Sequence, residues 1–212
     1  ITSVVVLKNG QIAIEEYFNG AKRETLHDTR SLTKSFTSTL MGIAIQEGHL
    51  QSAEQTLGDF YSLKDFKHYS ETKSKVTLKS LLMMTSGFDG FDFDAANPGI
   101  EENMYPTRSW VKFALDLPMK KIKEDDLRWQ YFTAGVVLLG DILNQKVPEG
   151  LESYAAKKLF EPLGIEKVKW QYTPTGVPNT AGSCQMTSLS FAKYGQLYQN
   201  NGKWKGEQLI SK

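Results

Sequence analysis

The sequence predicts an α+β fold: an antiparallel sheet flanked by helices, with a mostly helical subdomain over approximately residues 50–150. Two observations carry this. Strand-like runs flank an Asn-Gly pair near the N-terminus, and from Ser31 onward apolar residues recur at helical spacing. A third bears on the sheet: no later segment alternates strongly with a two-residue period, so the sheet is expected to be incomplete within residues 1–212.

Ser3-Val4-Val5-Val6-Leu7 and Gln11-Ile12-Ala13-Ile14-Glu15-Glu16-Tyr17-Phe18 flank Lys8-Asn9-Gly10, and Asn-Gly suits a two-residue hairpin turn because both positions need positive φ. After Ser31, residues Leu32, Phe36, Leu40, Ile43 and Ala44 mark one face of a helix, with Gly48 placed as its C-terminal cap. Asp28 or Thr29 is the expected N-cap, which would put Ser31 in the first turn. Further helices are expected at Leu78 to Thr85, Ser109 to Leu115, Phe132 to Lys146, Leu151 to Phe160 and Leu189 to Gln199. Gly87 to Tyr105, rich in Gly, Asp and Asn, reads as a long functional loop. A lone hairpin is marginal, so the apolar faces at Val4, Val6, Ile12 and Ile14 are expected to need a C-terminal continuation or a second chain to complete the sheet.

With 40% hydrophobic and 23% charged residues, the chain can bury a core and lacks the composition of disorder. A formal charge of +1 gives no basic field for nucleic acid, and Lys120-Lys121-Ile122-Lys123, followed by Glu124-Asp125-Asp126, reads as a solvated loop. Cys184 is the only cysteine, which rules out an intrachain disulfide and a cysteine-based metal site. Ala134 to Leu139 and Leu40 to Ile45 are far shorter than the roughly 20 residues of a membrane span. No signal peptide opens the chain, which starts as a trimmed one would. His27, His49 and His68 are scattered and read as solvated, so no metal or cofactor is implied. Asp89, Asp92 and Asp94 superficially suggest a calcium loop, but no glutamate closes it at the twelfth position.

A serine hydroxyl needs a nearby base to attack a carbonyl at neutral pH, and a lysine can be that base once its proton affinity is lowered. Ser31 and Lys34, three apart on a helix, share a face. The spacing alone is weak, since 16 serines and 21 lysines give between one and two such pairs by chance, and four occur. The others are Ser70/Lys73, in a polar run read as a surface loop, and Ser109/Lys112 and Ser190/Lys193, each read as opening an exposed amphipathic helix. Ser31 is preferred for the apolar helix behind it and for the matches that follow.

Arg30-Ser31-Leu32-Thr33-Lys34-Ser35-Phe36, running on to Glu47-Gly48, resembles the first motif of the serine β-lactamase and penicillin-binding protein superfamily, and looks most like its class C β-lactamase, esterase and nylon-oligomer (aminohexanoate-dimer) hydrolase branch. Thr77 to Gly87, Trp129-Gln130-Tyr131-Phe132-Thr133, Leu159-Phe160-Glu161-Pro162-Leu163-Gly164 and Ala192-Lys193-Tyr194-Gly195 with Asn201-Gly202-Lys203-Trp204 are similar to later segments, in the same order. The resemblance implies a β-lactamase/transpeptidase-like fold and a serine hydrolase of small-molecule esters or amides, acting through an acyl-enzyme on Ser31 with Lys34 as base. It implies that Tyr131 assists proton transfer, although a buried packing role is the alternative. Thr133 stands where class C β-lactamases have an asparagine that helps hold a β-lactam, so β-lactamase and DD-peptidase are second choices, and a non-catalytic binding protein of the same fold is a third. Phe88 and Trp110, with Phe91, Phe93 and Tyr105, are candidates for an apolar acyl pocket or for core. The family's third motif, which supplies an oxyanion donor from a late strand, is absent. A periplasmic or secreted location is implied by the resemblance alone.

Overall fold

A computed structural model describes residues 1–121 and 128–211. The N-terminal hairpin pairs β1 (Ser3–Lys8) with β2 (Gln11–Tyr17), and Asn9 and Gly10 both take left-handed φ, at 53° and 77°, as the Asn-Gly turn requires. The register runs from Ser3↔Tyr17 to Val6↔Ile14, then slips at a bulge so that Leu7 faces Ile12.

A second sheet was not foreseen. It holds β3 (Leu26–Asp28), β4 (Val168–Lys169) and β5 (Gln185–Thr187) in the order β3-β5-β4, all antiparallel, with Met186 between His27 and Val168. Strands of two and three residues are too short to show alternation. Two-residue strands β6 (Lys203–Trp204) and β7 (Glu207–Gln208) form a third, small hairpin.

The first helix, α1 (Thr33–Gln46), buries Phe36, Leu40, Ile43 and Ala44 as the spacing predicts, whereas Leu32, also expected on that face, lies in the turn before it and is exposed. It ends where Gly48 turns left-handed and His49 N–H donates to Ala44 O. Short helices follow: α2 (Glu71–Ser74), α3 (Leu78–Leu82), α4 (Glu101–Met104) and α5 (Trp110–Asp116). The expected helix to Thr85 is cut short because Met84 takes a left-handed φ of 57°. Every residue of α6 (Thr133–Lys146) from Thr133 to Gly140 is buried, and it packs on α1, α3, α5 and α7 (Gly150–Ala155). A π-helical turn, Ala156–Phe160, extends α7, and α8 (Ser188–Gln199) lies against β1. No helix among the described residues is long and apolar enough to cross a membrane.

Several polar side chains depart from the expected solvent exposure. Lys73 is fully buried, and its Nζ donates to Lys67 O and Leu115 O at 2.9 Å each, 5.8 Å from the Phe88 ring centre. Burial pushes its pKa down, with nearby Asp116 opposing. Ser190 is buried, and Thr187 rather than Ser190 caps α8, its side chain accepting from Ser190 N. His27 keeps Nε2 buried beside the sheet, and His49 stacks edge-on against Tyr154 at 5.7 Å. Lys120 is half-buried and 4.0 Å from Asp89, and residues 122–127 of the charged run lie outside the described residues.

Candidate active site

Ser31 lies in a single 3₁₀ turn, Arg30–Leu32, immediately before α1. Neither Asp28 nor Thr29 caps the helix by its side chain. Asp28 Oδ1 instead accepts from Arg30 N at 2.7 Å, and Arg30 takes a left-handed φ of 48° that breaks the helix one residue before the serine. Thr33 is the hub of this turn. Its hydroxyl donates to Arg30 O at 2.8 Å, accepts from Cys184 N at 3.2 Å, and lies 2.7 Å from the Thr29 hydroxyl. The Thr29 N–H in turn donates to Cys184 O at 2.9 Å. The serine is thereby mounted on both α1 and the segment that leads into β5.

Lys34 sits one turn further on, half-buried, while Ser31 is exposed. Its Nζ is 3.4 Å from Ser31 Oγ and donates to Ala181 O at 2.5 Å. Three contacts fix that carbonyl. Asn179 Oδ1 accepts from Ala181 N at 3.1 Å, Thr37 Oγ1 donates to Thr180 O at 2.8 Å, and Thr180 Oγ1 donates to Val136 O on α6 at 3.1 Å. Gly140 allows this approach, since a Cβ there would lie 2.2 Å from Thr180 Oγ1.

Tyr131 reaches the same place by its ring, whose centre is 4.9 Å from Lys34 Nζ. Its backbone is held from the other side, because Asp92 N donates to Tyr131 O at 2.9 Å and Asp92 Oδ2 accepts from Thr133 N, the first residue of α6, at 2.8 Å. Asp92 Oδ1 also accepts from Glu101 N at 3.0 Å. Burial raises the Asp92 pKa above the usual carboxylate value, against these bonds to the charged form. Asp92 thus caps α6 from a distant loop, a role no local motif announces.

The other candidate residues are placed elsewhere. Phe88 is 1% exposed and packs on Phe132 in the core, and Trp110 is buried against Tyr105. Thr133 is buried, with its side chain beside the Asp92 carboxylate that holds its backbone N–H. Ser70 caps α2 and Ser109 caps α5, while Lys112 pairs with Asp116 at 2.7 Å and Lys193 donates to Gly164 O. Of the four serine–lysine pairs, only Ser31 and Lys34 have their functional atoms joined among the described residues.

Residues 2–195 match the family model named Beta-lactamase, and the chain belongs to that family. No curated protein sequence matches it. Among solved structures it is similar to a proposed 6-aminohexanoate-dimer hydrolase from Bacillus anthracis, at TM-score 0.80 and 22% identity, covering 99% of this chain and 57% of that one. It is also similar to the octameric penicillin-binding protein homologue from Pyrococcus abyssi (TM-score 0.73, 23% identity, 99% and 53% covered). A third is the D-amino acid amidase from Ochrobactrum anthropi SV3 (TM-score 0.68, 16% identity, 98% and 65% covered). These likenesses establish a β-lactamase/transpeptidase-like fold of mixed helices and small antiparallel sheets. The chain spans between about half and two thirds of the length of these structures.

Proposed function

We propose that the chain carries the nucleophile of a serine hydrolase that cleaves an ester or amide bond. The observation that supports this most is the Lys34 Nζ contact with Ser31 Oγ at 3.4 Å, with the same nitrogen held by Ala181 O. Ser31 Oγ attacks the carbonyl carbon as Lys34 Nζ takes the hydroxyl proton. The C–O or C–N bond to the leaving group then breaks, the leaving group takes a proton back, and an acyl-enzyme remains. Water attacks that ester by the reverse proton path and releases the acid. A 3.4 Å contact is long for a proton transfer, and such contacts tighten when substrate excludes water.

Tyr131 is the second motif's contribution to this reading. Its ring stabilises the Lys34 ammonium formed after the first proton transfer, since a cation over an aromatic face is attracted by the ring quadrupole. Thr133 provides a buried hydroxyl where an exposed amide would help a β-lactam, so esters and acyclic amides are favoured over β-lactams. A fluorophosphonate probe followed by mass mapping tests the assignment: modification at Ser31 supports it, and an intact Ser31 with the probe elsewhere overturns it.

A further inference from the structure

Aromatic side chains from two separated segments converge on Tyr131, whose ring centre lies 4.9 Å from Lys34 Nζ. Phe93 stacks on Tyr131 with ring centres 5.2 Å apart and planes 20° from parallel, and Trp129 lies 6.1 Å from the same ring. Phe91 closes the row edge-on, 5.8 Å from Phe93. Phe93 is nevertheless 71% exposed and Trp129 57% exposed. Two large rings left in water against the ring that meets Lys34 forgo the burial that such side chains normally gain in a core.

Their backbone is fixed. Asp92, between Phe91 and Phe93, bonds to Tyr131 O, Thr133 N and Glu101 N, and Gln130 N donates to Met84 O at 2.9 Å. The two segments therefore present one wall rather than two independent loops. A rigid row of rings, with Phe93 and Trp129 exposed and Tyr131 backing them, binds an apolar group with little loss of conformational freedom.

We propose that Trp129, Tyr131 and Phe93 form the subsite for an aromatic or extended apolar acyl group, so that the preferred substrates are arylalkyl or long-chain esters or amides. This rests on Ser31 being the nucleophile. The acyl part is assigned to the wall because it stays tethered to Ser31 through both half-reactions and must be held while water attacks.

The test compares two p-nitrophenyl phosphonates that differ only in a methyl or a phenethyl group on phosphorus. In each, the Ser31 Oγ–P bond forms, p-nitrophenolate leaves, and the serine proton passes to Lys34. The release of p-nitrophenolate gives the rate, and mass mapping gives the site. The phenethyl reagent should label Ser31 at least about tenfold faster, and the ratio of the two rates should fall about two- to tenfold in Phe93→Ala and again in Trp129→Ala. Both side chains are exposed, so the variants keep the core intact, and Phe93→Leu should give an intermediate ratio. Equal rates on the unaltered chain, or a ratio unchanged in both alanine variants, overturn the subsite while leaving Ser31 as nucleophile. Absence of label on Ser31 from either reagent overturns the catalytic reading itself, and the subsite with it.

Discussion

Lys34 Nζ reaches two oxygens of different kinds, the Ser31 hydroxyl at 3.4 Å and the Ala181 carbonyl at 2.5 Å. The carbonyl can only accept, so one N–H stays directed at it and the rest of the nitrogen is oriented toward the serine. Replacing Lys34 by alanine should leave the fold intact and slow phosphonylation of Ser31 by about 10²- to 10⁴-fold, the usual contribution of a positioned base. Ser31→Ala should abolish labelling. Near-normal labelling of the Lys34→Ala protein would show that another group takes the proton. The contact between Ser31 and Lys34 was expected from the sequence through the apolar helix behind Ser31 and the family resemblance, since the three-residue spacing recurs four times. Asp92 was not, because the groups it binds stand 9, 39 and 41 positions along the chain, at Glu101, Tyr131 and Thr133. Lys73 also escaped detection: a lysine within a polar run reads as solvated, and only the fold brings Lys67 O and Leu115 O to it.

Long helices with clear apolar spacing, α1, α6 and α8, were legible to within a residue or two, whereas the β3-β5-β4 sheet was invisible because its pairing is entirely non-local. The junctions between elements hold two testable features. At the end of α1, Glu47 accepts from Tyr154 on α7 at 2.9 Å and from Lys158 in the π-helical turn. Burial pushes the Glu47 pKa up, but those two bonds and the nearby Lys158 and His49 charges outweigh it, and the net shift is downward. The folded carboxylate therefore holds its proton less tightly than the unfolded one. Its stabilisation is fully present above the ordinary glutamate range and is lost as pH falls through the lowered value. Glu47→Gln should cost about 1 kcal/mol in urea unfolding at pH 7, the side chain being partly screened by solvent, and the gap from the unaltered chain should close in acid. A gap independent of pH would refute this account.

Where α6 meets the Ala181 segment, Gly140→Ala would put a methyl 2.2 Å from Thr180 Oγ1 and 2.5 Å from its Cγ2. The expected cost is about 1–3 kcal/mol, together with slower labelling of Ser31, because Thr180 must move and Ala181 O moves with it. Gly195→Ala on α8 meets nothing within 4 Å and should be neutral or slightly stabilising. If both substitutions lower the melting temperature equally, the close approach is not what requires glycine at position 140.

For the molecule as a whole, the N-terminal hairpin is the exposed flank. Val4, Val6, Ile12 and Ile14 are 39–48% exposed, and the pair is two-stranded, so both outer edges carry unpaired backbone groups. The isolated 212-residue chain should therefore self-associate at high concentration, and Val6→Lys with Ile14→Lys should shift it toward monomer in sedimentation velocity. A chain that is monomeric throughout, with or without the two lysines, would mean that this face is inert.

The bond from Lys34 to Ala181 spans 147 positions of sequence, and the one from Cys184 to Thr33 spans 151. During synthesis Ser31 and α1 emerge well before Ala181 and Cys184, so neither contact can form until those two residues have also left the ribosome. Contacts of such long range also form late in refolding, because the loop they close must be ordered first. Lys34 therefore stays unfixed beside Ser31 until the Ala181 segment has docked. On the proposed reading, a nascent or partly folded chain carries Ser31 without its fixed base, and reactivity appears only once the Ala181 segment has docked.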